Sequence, residues 1–280
     1  MSYGPKPWVQ LHWDARAALN FIFGGAGSGL ILFAAFAPFT QRLNQAAFLV
    51  GLALIGAGLL SVWMEIGRKL RAVHVFFNPF TSWMTRESFV ALVLFVAGLS
   101  AIWTGLPQLA ALAALAALGF IYCQGRILRA SKGIPAWREP TVTWLVFWTA
   151  VAEGAGLFLV FAVLAGTRVP ALAVASLALA VVARGIAWSG YRRRVEAQLA
   201  PKARAALEPA GKQLYQLGAV VPLALLLTGE ATDIFASGAA LLLAGAAALA
   251  AGWRFKFVLV VRASFNQGFA LPRVPARGGK

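Results

Sequence analysis

Cysteine is almost absent from this chain of 280 residues, Cys123 being the only one. One thiol forms no internal disulfide and cannot supply the about four thiolates that hold an iron–sulfur cluster. Any such cluster belongs to a partner. Acidic residues are scarce as well, 9 against 25 Lys and Arg, and there are 2 histidines, His12 and His74. Both fall outside the long apolar segments, whereas a b-type haem in a helical bundle takes axial histidines from the helices. No haem is expected. HExxH, a Walker loop, a nucleophile elbow and a Cys–His metal grouping are all missing, which argues against covalent or metal-centred catalysis by this chain.

Apolar residues are abundant instead. They make up 60% of the chain, charged residues only 12%, and mean hydropathy is +0.76, whereas an ordinary soluble domain is roughly 25% charged. This composition is that of an integral membrane protein. A bilayer core of about 30 Å needs about 20 apolar residues per helix. The pattern predicts an all-α bundle of eight transmembrane helices, at 17–37, 46–66, 87–105, 108–128, 143–165, 170–190, 213–229 and 234–261. Residues 1–16 and 262–280 are then terminal segments flanking a transmembrane domain at 17–261. MSYGPKPWVQLHWDAR mixes charge, proline and tryptophan and precedes no short apolar core with a small-residue cleavage site, so the first helix is expected to stay in the mature chain.

The connections alternate in length. PFTQRLNQ, GLPQ, GTRVP and GEATD are short, whereas those after the second, fourth and sixth segments are long and basic. All Lys and Arg but Arg42 and Arg168 fall on the long-loop side. By the positive-inside rule that side, with both termini, faces the cytoplasm across the cell inner membrane. The net charge of +16 and pI of about 11.4 then describe one membrane surface, suited to anionic lipid headgroups or an acidic protein partner and not to nucleic acid.

Within the spans, NFIFGGAGSGLILF sets Gly25 and Gly29 four apart, a spacing for close helix packing in lipid; it does not match G-x-G-x-x-G, and no strand precedes it. Glu153 lies near the middle of the fifth segment, where a carboxyl must be paired, protonated or wet. Arg184 pairs with it if the two helices are neighbours, although their depths differ. An interhelical hydrogen bond and a proton-relay role stay open for this pair. Pro222 is the only mid-span proline of this reading.

The stretch NPFTSWMTRES, residues 78–88, is conspicuously polar between two apolar runs. Asn78–Pro79 predicts a turn, and Thr81 or Ser82 an amino-terminal cap for the third helix. Glu65 and Glu87 occupy helix ends beside Arg68, Lys69, Arg71 and Arg86. They are either interfacial salt-bridge partners or carboxyls suited to proton transfer.

Three stretches resemble the membrane-anchor subunits of dimethyl sulfoxide reductase-type molybdopterin oxidoreductases and, more distantly, the polysulfide reductase anchor: EIGRKLRAVHVFFNPFTSWMTRESF, IYCQGRILRASKGIPAWREP and VVRASFNQGFALPRVPARG. The resemblance implies a division of labour. A molybdopterin subunit performs the substrate chemistry, an iron–sulfur subunit carries electrons, and the anchor holds both while exchanging electrons with a menaquinone or ubiquinone. It implies no haem, iron–sulfur or molybdenum centre in the anchor itself. It also places the quinone pocket at the helix ends facing the iron–sulfur subunit, with an acidic residue that corresponds to Glu87. Glu65 stands where relatives often carry histidine. Quinone reduction takes up two protons, so the pocket needs hydrogen-bond donors, a titratable group reaching water, and apolar aromatic walls. Glu87 and Glu65 are the candidate proton carriers, Arg71 or Arg86 the groups that tune them or orient the head group, and Tyr122 and Asn20 the candidate donors. Trp83 either walls the pocket or anchors the chain at the interface.

Basic loops on the cytoplasmic side suit oxidation of an intracellular substrate, such as sulfite or an acyl-CoA, with electrons passing to the quinone pool. A proton- or ion-coupled transporter is the competing class, and a purely structural anchor without a quinone site is the third.

Overall fold

A computed structural model describes residues 4–37, 39–231 and 238–269. Among them eight helices are long and apolar enough to cross a membrane, as the hydropathy pattern predicts. They are α1 (Ala15–Ala34), α2 (Gln41–Glu65), α3 (Trp83–Thr104), α4 (Pro107–Ala130), α6 (Val142–Leu164), α7 (Ala171–Val195), α8 (Pro201–Tyr215) running on through α9 (Val221–Ala231), and α10 (Ala239–Phe257). A 3₁₀ segment, Lys69–Phe77, lies between α2 and α3, and a single helical turn, α5 (Pro135–Arg138), between α4 and α6.

Local chemistry sets the helix ends. Asp14 caps α1 by accepting from the Arg16 amide at 2.7 Å. Ser82 caps α3 by accepting from the Thr85 amide at 3.3 Å, one of the two caps expected from NPFTSWMTRES. At its other end α3 stops on Gly105, whose φ of +69° suits a residue without Cβ. Pro107 then opens α4 at a position where its missing N–H costs nothing.

The seventh crossing differs most from the hydropathy reading. Its helix begins at Pro201, well before the expected 213, and carries Pro209 inside it. PKARAALEPAGKQLY is amphipathic: Ala203, Leu207, Ala210 and Leu214 are buried in the cluster that includes Trp188 and Tyr191 of α7. Its other face pairs Glu208 with Arg192 at 3.1 Å. Averaging over both faces hides such a helix.

α1 runs through the centre, packed on α2, α4, α6 and α10. Glycine permits the contact. A Cβ at Gly29 would stand 2.6 Å from Gly154 Cα and 2.8 Å from the Ala150 carbonyl of α6. Gly156 and Gly245 bring α6 and α10 together in the same way, backbone against backbone. The small-residue spacing of the first span is therefore a helix contact.

A π turn, Gln216–Val220, interrupts the seventh crossing, and another, Val258–Arg262, ends the eighth. The first has a cause in sequence. Pro222 cannot donate to the carbonyl four residues earlier, and its ring crowds it. That carbonyl belongs to Gly218, and the buried Arg184 guanidinium donates to it and, at 2.9 Å, to the Ala248 carbonyl. The expected pairing of Arg184 with Glu153 is thus replaced by a role as cap for a proline-broken helix. Among the described residues, Glu153 pairs with Lys256 instead, Nζ to Oε2 at 2.6 Å.

The termini meet at the basic end. Val9 and Phe265 form an antiparallel bridge, and the Gln10 amide donates to the Ser264 carbonyl at 3.0 Å. Residues 270–280 of the predicted tail, Pro38, and residues 232–237, which take in the end of GEATD, lie outside the described residues.

Candidate functional site

A cavity of about 320 Å³ opens at the basic end of the bundle, walled by the first turns of α1, the last turns of α2 and the first turns of α3. On the loop side Ile66, Ala72 and Val75 close it, and Ile127 of α4 completes its wall. Its surface is mainly apolar and aromatic, with Trp13, Phe21 and Trp63 among the lining side chains. Four polar side chains reach it: Asn20, Glu65, Glu87 and Ser88.

Glu87 is the chemically distinctive group. It lies one turn inside α3 on the face turned toward α1, 5% exposed. The Asn20 amide nitrogen, on a residue equally buried, lies 3.5 Å from its Oε1 and donates to it. Glu65, half-buried at the end of α2, borders the same space nearer the surface. Among the described residues neither carboxyl forms an ion pair, so the expected cluster with Arg68, Lys69, Arg71 and Arg86 does not assemble. The reason is angular. One residue along a helix turns about 100°, so while Glu87 points inward, Arg86 points back to its own loop and donates to the Pro79 and Phe80 carbonyls at 2.8 and 2.6 Å. Arg71 stands exposed on the 3₁₀ segment, away from the cavity lining.

Trp83 and Tyr122 form a separate group between α3 and α4. The Trp83 ring lies between two guanidinium groups, Arg86 at 4.2 Å and Arg126 at 4.1 Å. Tyr122 meets Trp83 edge-on at 5.9 Å, and its hydroxyl accepts from Arg126 at 2.7 Å. Neither ring lines the cavity. The candidate wall and the candidate donor are corrected accordingly: both serve to tie α4 to the start of α3.

Behind the cavity stands a second layer that the sequence reading did not identify. Gln124 of α4 donates to the Asn20 carbonyl at 2.8 Å, and Lys256 of α10 to the Phe21 carbonyl at 2.8 Å. Two helices thus grip successive carbonyls of α1 at two of the residues that line the cavity. Gly24 and Gly25 leave the space these side chains occupy. Lys256 counted toward the basic end in the charge pattern because it closes the last span. Its apolar neighbours in WRFKFVLVV were the available signal for burial. Glu153, the expected mid-membrane acid, supports the site only through Lys256.

The stretches flanking the cavity interlock. Trp13 stacks on Trp137 with ring centres 4.9 Å apart, Trp137 Nε1 donates to the Leu259 carbonyl in the second π turn at 2.8 Å, and the Tyr191 hydroxyl donates to the Ala136 carbonyl at 2.7 Å. The Pro-Ala-Trp element and the carboxy-terminal stretch therefore hold one wall residue, Trp13, in place. Comparison with curated proteins gives no match. A family model described as "DMSO reductase anchor subunit (DmsC)" matches residues 17–231, which runs from the first turn of α1 to the end of α9 and includes part of every helix that walls the cavity, and the chain therefore belongs to the DMSO reductase anchor subunit family.

Proposed function

We propose that this chain anchors a molybdopterin oxidoreductase complex in the cell inner membrane, binds a quinone or quinol in the cavity beside Glu87, and exchanges electrons there with an iron–sulfur subunit docked on the basic end. The observation that carries this reading is Glu87 itself: a buried carboxyl with no cationic partner among the described residues, one amide donor, and an apolar aromatic cavity large enough for a head group. A carboxylate with only a structural role at membrane depth is expected to be paired.

Reduction of a quinone to its quinol takes two electrons and two protons. In this proposal the two electrons arrive from the docked subunit, Glu87 passes one proton to one quinone oxygen, water supplies the second proton to the other oxygen, and the Asn20 amide orients the ring. Glu65, closer to the surface, connects Glu87 to water. The reverse transfers oxidise a quinol. The basic terminal segments and long loops face the cytoplasm in this reading, and the molybdopterin subunit there suits an intracellular substrate.

The test is electron exchange by the purified complex with a soluble quinone analogue. Glu87→Gln is expected to abolish that exchange while the subunits remain associated, and proteoliposomes of the chain alone are expected to show no solute flux. Full exchange activity in Glu87→Gln overturns the site; solute flux by the isolated chain favours a transporter.

A further inference from the structure

Ile66, Ala72 and Val75 line the cavity on its loop side; the opposite flank, between α2 and α3, offers a separate way in. The contacts of α2 with α3 indicate where. Along the middle of the bilayer the two helices touch: Gly98 faces the Leu52 methyl groups, which a Cβ there would meet at 3.2 Å, and Gly56 faces the Phe95 ring, at 3.7 Å. Continued toward the basic end, that antiparallel register sets Leu59 and Trp63 of α2 opposite the first turns of α3. There the helices do not close. The cavity lies between them, lined by Leu59, Val62 and Trp63 from one side and Met84, Glu87 and Ser88 from the other.

Two of these residues belong to both surfaces at once. Trp63 and Met84 line the cavity and remain 39% and 42% exposed, far more than Asn20 and Glu87 deeper in, at 5% each. A side chain that borders a cavity and is also open to the outside marks an opening. Both helices are long and apolar enough to cross a membrane, so an opening between their flanks leads to lipid. Next to the opening the covering loop is fastened to the outer face of α3, Phe76 meeting Phe89 edge-on at 5.3 Å, and the Lys69 ammonium lies 4.8 Å from the Trp63 ring.

We infer that the splayed ends of α2 and α3 form a lateral portal between Trp63 and Met84, through which a ligand enters from the bilayer and leaves its apolar tail in the gap while its polar head group sits at Glu87 and Asn20. The inference rests on the proposed quinone site and adds the route of entry and the residues that meet the tail, so that the ligand is recognised by tail as well as head. The chemistry is complementary throughout. An amphipathic ligand with one polar end and one long apolar end matches a cavity whose carboxyl and amide lie inward and whose mouth is Leu59, Val62, Trp63 and Met84. Met84 and Trp63 thereby become specificity-determining residues for the tail.

The portal is tested in the intact complex by comparing kcat/KM for two analogues with the same head group, one bearing a decyl chain and one without a tail. Met84→Trp, which narrows the gap from the α3 side, is expected to lower the ratio of the two values about tenfold. Val62→Trp narrows it from α2 and carries the same expectation if the first variant fails to assemble. Val96→Trp, on the exposed outer face of α3 away from the mouth, is the control. An unchanged ratio in both narrowing variants overturns the portal. If Glu87→Gln abolishes exchange in the same assay, the head-group site survives that outcome; if Glu87→Gln is fully active, the head-group site fails whatever the ratio does.

Discussion

Lys256 Nζ and Glu153 Oε2 lie 2.6 Å apart with side chains 1% and 0% exposed, the most deeply buried ion pair among the described residues. Two charges at this depth are tolerated because each neutralises the other and Lys256 also donates to the Phe21 carbonyl. Losing one partner strands the other. Lys256→Met is expected to cost about 3–5 kcal/mol, and Glu153→Leu combined with Lys256→Met far less. Thermal unfolding of the detergent-solubilised complex measures both; a single variant as stable as the double one would contradict the pairing.

Arg184 and Pro222 form a second coupled set. Arg184→Leu leaves the Gly218 and Ala248 carbonyls without their guanidinium donor, with an expected loss of about 1–3 kcal/mol. Pro222→Ala restores a backbone donor for Gly218 and is expected to return part of that loss. A double-mutant cycle reads the coupling, and additive effects would show that proline and arginine are independent.

Gln124 sits outside the cavity but grips the Asn20 backbone. Gln124→Leu is expected to raise KM for a quinone analogue severalfold while kcat stays within about twofold, because displacement of Asn20 weakens head-group orientation without removing the Glu87 carboxyl. A purely structural role would instead lower the amount of assembled complex with normal kinetics in what remains.

The Trp83 group supplies a contrasting outcome. Since Tyr122 bonds to Arg126 and neither Tyr122 nor Trp83 reaches the cavity, Tyr122→Phe is expected to leave KM and kcat for the quinone analogue at the wild-type level. Arg126→Met removes one of two cations on the Trp83 ring and the Tyr122 hydrogen bond, at an expected cost of about 1–2 kcal/mol in unfolding. A large kinetic defect in Tyr122→Phe would return that residue to the site.

The amino-acid sequence alone determined the class of this protein. A helix must satisfy its own backbone in lipid, so apolar length by itself set the number of crossings, and the polar interruptions at Ser82 and Gly105 marked helix ends through local bonds a few residues long. The same locality explains why Glu87 and Asn20, which meet at the cavity, stand out as candidates in the sequence: a carboxyl or amide at a helix end is visible in one dimension. Tertiary packing decided the rest. Whether Glu153 would meet Arg184 or Lys256, whether Arg86 would face a carboxyl or its own loop, and whether Tyr122 would line the cavity all depended on helix rotation and on which glycine faces touch. The first is settled by a contact between residues more than a hundred positions apart, Glu153 with Lys256, and the site's backing by two more, Phe21 with Lys256 and Asn20 with Gln124. Hydropathy carries no information about azimuth: a buried lysine and an interfacial one read alike until the helix beside it is in place.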